Sequence, residues 1–174
     1  ASMGSFFGFG SAGANMNILA EDLDELLPVF IDFIQNPLFP EDKIELAKTQ
    51  TKSGISRRND EQAGIAGREF RKLIYGEDAA YTKQTEYATV DNITREDLVK
   101  LHEDSFVGNN MLVGVIGDFK ADQIKKKLQD AFGSIKAGQK TNLIYPEVEY
   151  EFKPTVNLVD KPDVNQSYVI LGHI

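Results

Sequence analysis

Apolar residues recur every three or four positions along several stretches of the chain, and this spacing predicts amphipathic helices. The clearest stretch begins in the acidic run 21–25, places Leu, Phe and Ile residues on one face, and ends at Asn36-Pro37. Pro28 lies inside this stretch and is expected to kink the helix or to shift its start. The predicted helices span residues 21–36, 40–58, 61–75, 95–106 and 121–132.

Residues at the ends of these stretches support the predicted boundaries. Pro40 stands at the favoured first position of a helix, and the run 94–97 (Thr-Arg-Glu-Asp) resembles a capping box with Asp in place of the usual Glu. Gly76 and Gly133 follow the last periodic residues of their stretches, where glycine commonly ends a helix. Residues 77–93 show no period and are predicted to form a surface loop.

Other stretches have the pattern of β-strands. Residues 14–19 alternate apolar and polar side chains, and the glycine-rich stretch before them is predicted to be a strand as well. The nearly unbroken apolar run 111–116 is predicted to be a strand buried on both faces. Short strands are expected at 156–159 and 168–171. Clustered helices followed by returning strands indicate an α+β fold, with helices packed on one face of an antiparallel sheet in two layers.

Composition narrows the classes of function. The chain has 174 residues, of which 41% are hydrophobic and 26% are charged, as in an ordinary globular domain. The formal net charge of -8 repels phosphate backbones, so we expect no nucleic-acid partner. The longest apolar runs are too short to span a bilayer. The absence of cysteine excludes disulfides, thiolate metal ligands and a cysteine nucleophile.

Residue spacing alone predicts no catalytic centre. His102 and His173 are far apart in sequence, and neither has a second ligand at helical spacing, so a histidine-rich metal site is excluded. We expect His102 to be a surface residue of its helix. No serine lies in a Gly-x-Ser-x-Gly sequence, and no glycine-rich loop precedes Lys-Ser or Lys-Thr. The run Lys125–Lys127 is expected to form a solvated helix face.

Six segments occur in a specific order and spacing, and together they cover about residues 4–133. They resemble the pitrilysin/insulinase family of zinc metallopeptidases. The segments are 19–27 (Leu-Ala-Glu-Asp-Leu-Asp-Glu-Leu-Leu), 36–43 (Asn-Pro-Leu-Phe-Pro-Glu-Asp-Lys), 57–60 (Arg-Arg-Asn-Asp), 68–76 (Arg-Glu-Phe-Arg-Lys-Leu-Ile-Tyr-Gly), 93–98 (Ile-Thr-Arg-Glu-Asp-Leu) and 113–118 (Val-Gly-Val-Ile-Gly-Asp).

The resemblance implies a fold and a metal chemistry. The family repeats sheet-and-helix domains in pairs that close into a chamber around a peptide. Its inverted His-x-x-Glu-His motif binds zinc, and the Glu activates a zinc-bound water. That motif would lie upstream of residue 1. The family's third zinc ligand is a Glu whose place is taken here by Gly54, which has no donor atom, so we predict that this chain holds no zinc itself.

The resemblance also implies a candidate peptide-binding strand at Gly4, Ser5, Phe6 and Phe7. In active relatives the matching Asn-Ala-Phe-Thr lies on an edge strand that pairs with the substrate backbone. Phe6 matches this motif, whereas the other three residues differ from it. The implied partners are therefore a peptide substrate and a zinc-bearing sister domain or subunit.

The chain is expected to be a fragment of a longer protein, because it closes on the strand-like run 166–174. We predict an N-terminally truncated domain over 1–138, an acidic linker over 139–155, and the opening strands of the next homologous domain over 156–174. Strand 166–171 would then seek an edge in this domain or in another copy, which predicts self-association through the C-terminal strand.

These observations predict a non-catalytic domain of a bacterial pitrilysin-like peptidase that helps to bind peptide and to form the chamber, and that is inactive alone. One alternative is a zinc metallopeptidase whose His-x-x-Glu-His half lies outside this chain. Another is a purely structural assembly subunit. The sequence names no compartment, and between bacterial compartments we favour the periplasm over the cytoplasm.

Overall fold

The computed structural model of the chain describes residues 1–8, 10–140, 142, 144, 147–148 and 154–172. It divides into unit 1, residues 1–40 with 94–143, and unit 2, residues 41–93 with 144–174. The strands are β1 (Ser2–Gly8) and β2 (Ser11–Asn17), and the helices are α1 (Leu23–Gln35), α2 (Glu41–Ser56), α3 (Gln62–Tyr75), α4 (Tyr87–Asp91), α5 (Arg95–Ser105) and α6 (Ala121–Phe132). Short 3-10 turns cover Ala20–Asp22, Ala80–Thr82 and Gly108–Asn110.

The five long helices confirm the periodic pattern, with every boundary within two residues of its predicted position. The chain is therefore a mixed α+β protein, as predicted. Helix α1 runs without interruption across Pro28, and a 3-10 turn precedes it. Gly76 ends α3 with a φ of 87°, a backbone conformation that glycine adopts without strain, and its N–H donates to the Lys72 carbonyl at 2.9 Å.

Unit 1 is built on the apolar face of α1. Leu27, Phe30, Ile31 and Ile34 of this helix are all buried, and α1 packs against α6, whose Ile124 is buried as well. Burial of such a side chain contributes about 1.5–3 kcal/mol relative to leaving it in water. An ion pair between Lys127 of α6 and Asp24 of α1 lies at the edge of the same contact. The lysine run 125–127 is therefore only partly a solvated face.

Helix α5 holds the segment that follows α1. Arg95 donates from Nε to the Phe39 carbonyl and from Nη2 to the Leu38 carbonyl, each at 3.1 Å. Phe39 has a φ of 46°, a left-handed conformation that costs a bulky residue about 1–2 kcal/mol. The two hydrogen bonds from Arg95 hold the chain in this conformation.

Unit 2 contains α2, α3 and α4, and several polar contacts link these helices and the turns beside them. Arg58 pairs with Glu86 at 2.7 Å, just ahead of α4, and Arg68 on α3 donates to Asn59 Oδ1 at the same distance. Lys52 of α2 pairs with Asp91 of α4. Much of this unit is exposed, and Val90 is the one apolar residue of the unit that is buried among those described.

The prediction of a surface loop over 77–93 is wrong in part, because the segment contains the turn Ala80–Thr82 and the helix α4. A five-residue helix is too short to show a 3.6-residue period. The sequence feature that indicates α4 is its N-terminal cap, because Glu86 and Thr89 form a reciprocal capping box at the start of the helix.

Residues 111–116 do not form a strand, so the prediction of a strand buried on both faces is wrong. Leu112 is 99% exposed and Ile116 is 102% exposed, and the run pairs with no strand among the described residues. The short strands predicted at 156–159 and 168–171 are likewise absent from the described residues. A strand needs a neighbour to satisfy its backbone groups, and the apolar pattern alone does not supply one.

The sheet that the structure describes has two strands, β1 and β2, rather than the larger sheet expected from the sequence. The predicted linker 139–155 falls mostly on residues outside the described ranges. The boundaries 1–138, 139–155 and 156–174 stay predictions. Residues 166–171 join no sheet within the described part of the chain, so pairing with another copy also stays a prediction.

We expect Thr94→Ala to lower the free energy of unfolding by about 1 kcal/mol, because it removes the cap of α5. Thr94 Oγ1 accepts a hydrogen bond from the Asp97 backbone N–H at 3.2 Å. The matched control is Thr49→Ala inside α2, where the hydroxyl only donates to the Glu45 carbonyl and alanine is the better helix former. Urea unfolding of both variants is the measurement, and equal destabilisation would contradict this role of Thr94.

The same cap predicts a pH dependence. The Thr94 backbone N–H and hydroxyl donate to the Asp97 carboxylate at 2.8 and 2.9 Å and hold the pKa of that carboxyl below its usual value. A lowered folded-state pKa adds stability above the unfolded value of about 3.9, and this stability is lost as the pH falls through the folded value. Asp97→Asn should therefore be less stable than wild type at pH 7, and the difference should shrink at low pH. Urea unfolding of both proteins across this pH range is the measurement.

Candidate functional site

The candidate peptide-binding residues Gly4–Phe7 lie on β1, which pairs antiparallel with β2. Phe6 stands opposite Gly13 and Phe7 opposite Ala12. Phe6 is 58% exposed and Phe7 is 68% exposed. Because successive side chains of a strand point to opposite faces, these two rings lie on opposite faces of the hairpin.

Glycines shape the hairpin at two cross-strand pairs. A Cβ added to Gly13 would lie 2.6 Å from the Phe6 ring, so the ring occupies the space that a side chain would need. Asn15 approaches Gly4 less closely, because its Oδ1 would lie 3.4 Å from a Cβ added there. The second edge of β1 meets no strand within the described ranges. An edge of this kind presents outward backbone N–H and C=O groups.

Gly54, which the resemblance places at the family's third zinc-ligand position, lies in α2 on an exposed surface. A Cβ built there meets no atom within 4 Å. The described residues contain no group of three or more His, Asp or Glu side chains close enough to hold a metal ion. The residues around Gly54 therefore do not fit zinc. The absence of bound zinc stays a prediction.

His102 is not the surface residue that the sequence suggested. It is half-buried, its Nε2 lies 2.7 Å from the Ile34 carbonyl at the end of α1, and its ring stacks on Phe106 at 4.7 Å. Phe39 approaches the ring edge-on at 6.1 Å. The residue therefore has a packing role in unit 1. His173 lies outside the described residues.

Unit 1 contains a groove that the sequence did not predict. It has a volume of about 970 Å³ and lies between β2 and the run 111–116. Apolar side chains of two helices also line it, namely Leu23, Leu27, Phe30 and Ile34 of α1 and Ile124, Leu128 and Phe132 of α6. Phe7 of the candidate peptide-binding strand lines it as well. The sequence feature that could have indicated this groove is the apolar run 111–116, because so many apolar residues in a row call for a covered surface. Within the described residues, no helix is long and apolar enough to cross a membrane.

Comparisons with known proteins agree with the resemblance. Residues 92–173 match the family model of the peptidase M16 inactive domain. A protein of Rickettsia felis named as an uncharacterized zinc protease is 25% identical over 157 residues. Both matches support the similarity of this chain to the pitrilysin/insulinase family of peptidases. The alignment covers 89% of this chain but 37% of the relative, so the chain spans well under half the length of that protein.

Two pairs of the segments that resemble the family contact each other in the structure. Arg95 lies in the segment 93–98, and the two carbonyls to which it donates belong to the segment 36–43. Likewise Arg68 of the segment 68–76 donates to Asn59 of the segment 57–60. These segments therefore have structural roles. The family's His-x-x-Glu-His motif does not occur in the 174 residues.

We expect Gly54→Glu to fold and to bind no stoichiometric zinc. The added side chain has open space around it, and replacing glycine within a helix should raise the free energy of unfolding by about 0.5–1 kcal/mol. A single carboxylate supplies one of the three or more ligands that zinc needs. Isothermal titration with zinc is the measurement, and Gly54→Ala is the matched control for helix stability. One tight zinc site per chain would contradict the prediction.

Proposed function

We propose that this chain is a non-catalytic domain of a pitrilysin/insulinase-type peptidase, which binds peptide and helps to form the chamber beside a zinc-bearing sister domain or subunit. The observation that carries the proposal is the match of residues 92–173 to a domain described as inactive. Gly54 adds support, because the residue at that position offers zinc no donor atom.

Peptide binding in this proposal takes place along β1. The second edge of β1 pairs with no described strand, and an extended peptide would add to it by backbone hydrogen bonds. Such pairing tolerates many sequences, since the hydrogen bonds come from the peptide backbone. The exposed rings of Phe6 and Phe7 would provide apolar contacts to alternate side chains of the peptide on the two faces.

In this proposal the sister domain or subunit holds the zinc and carries out the hydrolysis of the peptide bond. When zinc is bound there, it activates the water that attacks the peptide bond. The present chain would contribute an edge strand and one wall of the chamber, in a two-layer arrangement of sheet and helices. We place the assembly in the periplasm rather than the cytoplasm as part of the same proposal.

A second function, zinc peptidase, is favoured by the name of the Rickettsia felis relative and by its greater length. In that case the His-x-x-Glu-His half belongs to the same polypeptide outside these residues, and the third ligand comes from elsewhere. The discriminating observation is whether that motif occurs in the polypeptide that contains this chain. Its presence would favour the enzyme.

The proposed function predicts that a proline in β1 weakens peptide binding. The N–H groups of a strand point alternately to its two edges, so Gly4→Pro and Ser5→Pro remove N–H groups of opposite direction. One variant should lose an outward N–H, keep the hairpin, and bind an unstructured fluorescein-labelled peptide about tenfold more weakly. The other should lose a bond to β2 and unfold more readily. Fluorescence anisotropy and urea unfolding measure the two effects.

The control for this experiment is Leu38→Pro, at an exposed residue of unit 1 outside β1. The same peptide carrying a fluorogenic bond should remain uncleaved by the chain alone, with or without added zinc. Unchanged affinity in both β1 variants would remove the proposed binding edge. Turnover that a chelator abolishes would replace the proposal with the enzyme function.

A further inference from the structure

The hairpin of β1 and β2 contains an aromatic ring that lies over a glycine. Phe6 stands directly opposite Gly13, and a Cβ added to Gly13 would lie 2.6 Å from two ring carbons of Phe6. The ring therefore covers the bare backbone of its cross-strand neighbour and leans toward β2. An aromatic side chain that covers a glycine across a strand pair supplies the packing contact that the glycine lacks.

Gly4 presents the same bare backbone on the face of β1 that it shares with Phe6, two residues further along the strand. Asn15, its partner on β2, approaches Gly4 only with the end of its side chain, because Oδ1 would lie 3.4 Å from a Cβ added there. Apart from the adjacent residues of the chain, no other described atom comes within 4 Å of that position. The space above Gly4 is therefore open toward the second edge of β1.

We propose that Gly4 is a specificity-determining residue of the β1 edge and selects peptides with an aromatic side chain, which lies over Gly4 as the Phe6 ring lies over Gly13. This inference rests on the proposed function, which places an extended peptide along the second edge of β1. A peptide residue directly opposite Gly4 directs its side chain to the face that Gly4 shares with Phe6. The exposed Phe6 ring then offers that side chain an aromatic neighbour.

The composition of the hairpin favours an uncharged aromatic side chain over a charged one. Residues 1–20 contain no Asp, Glu, Lys or Arg, so the edge offers no opposite charge to an ionised peptide side chain. The opposite face of β1 has no equivalent gap, because its residues there are Met3, Ser5 and Phe7, which all carry side chains. The space for a ring is therefore specific to the face of Gly4.

The experiment measures the binding of three fluorescein-labelled peptides to the 174-residue chain by fluorescence anisotropy. Each peptide has about nine residues, enough to span a strand, with threonine on both sides of a central residue and lysine at the ends. The central residue is Phe, Leu or Ala. We expect the Phe peptide to bind about tenfold more tightly than the Ala peptide and about threefold more tightly than the Leu peptide.

Two alanine variants of β1 test the position of the contact. Neither Gly4 nor Gly8 has a positive φ, so alanine fits the backbone at both positions. A Cβ at Gly4 would occupy the place of the peptide ring, so Gly4→Ala should reduce the preference for the Phe peptide over the Ala peptide from about tenfold to about twofold. The matched control is Gly8→Ala, which should keep the full preference. Gly8 lies on the same face but ends the strand, so a peptide centred there extends beyond β1.

Equal affinity of the unchanged chain for the Phe and Ala peptides would overturn the inference and leave the proposed function standing, because peptide would still bind. Equal affinity for the Phe and Leu peptides would also overturn it, since the site would then select apolar bulk rather than an aromatic ring. The same holds if Gly4→Ala keeps the preference or Gly8→Ala loses it. Failure of all three peptides to bind would remove the proposed function together with the inference. The comparison on the unchanged chain decides the question even if a variant does not fold.

Discussion

Unit 1 depends on the burial of one apolar helix face. Of the buried apolar side chains in the described residues, Leu27, Phe30, Ile31 and Ile34 all belong to α1. Helix α6 covers part of this face, and another part of it lines the groove beside β2. The helix thus provides the surface on which the other elements of the unit collect, and its hydrophobic contribution exceeds that of any ion pair on the exposed surface.

Polar contacts determine the path of the chain after α1, which hydrophobic burial alone does not determine. The end of α1 exposes carbonyl groups that need donors, and α5 supplies a contact from His102 to the Ile34 carbonyl. Arg95 satisfies two more carbonyls in the next turn of chain. Burial alone would allow the segment after α1 several paths, whereas these contacts are directional and select one.

The sequence predicts the helices well because the backbone N–H and C=O groups of a helix form hydrogen bonds with each other within a local stretch of chain. The spacing of apolar residues and the caps at Thr94 and Gly76 were sufficient for α5 and α3. Strands depend on partners that are distant in sequence, and the run 111–116 shows the consequence: its apolar pattern is genuine, but it has no described neighbour. Of the candidate site, the position of Gly4–Phe7 on a strand was predictable. The contact of Phe6 with Gly13 was not, because it depends on the register of the hairpin.

The division of unit 1 into two stretches of chain has a consequence for how the protein is made. Residues 1–40 leave the ribosome before residues 94–143 exist, so α1 is synthesised without α5 and α6. Until then its apolar face lacks the cover of α6, and Phe39 has no Arg95 to hold its left-handed backbone. Closing contacts over such a separation in sequence is slow compared with forming a helix. The nascent chain therefore passes through an interval in which the apolar face of α1 lacks its contact with α6, and chaperones bind such faces before aggregation can begin.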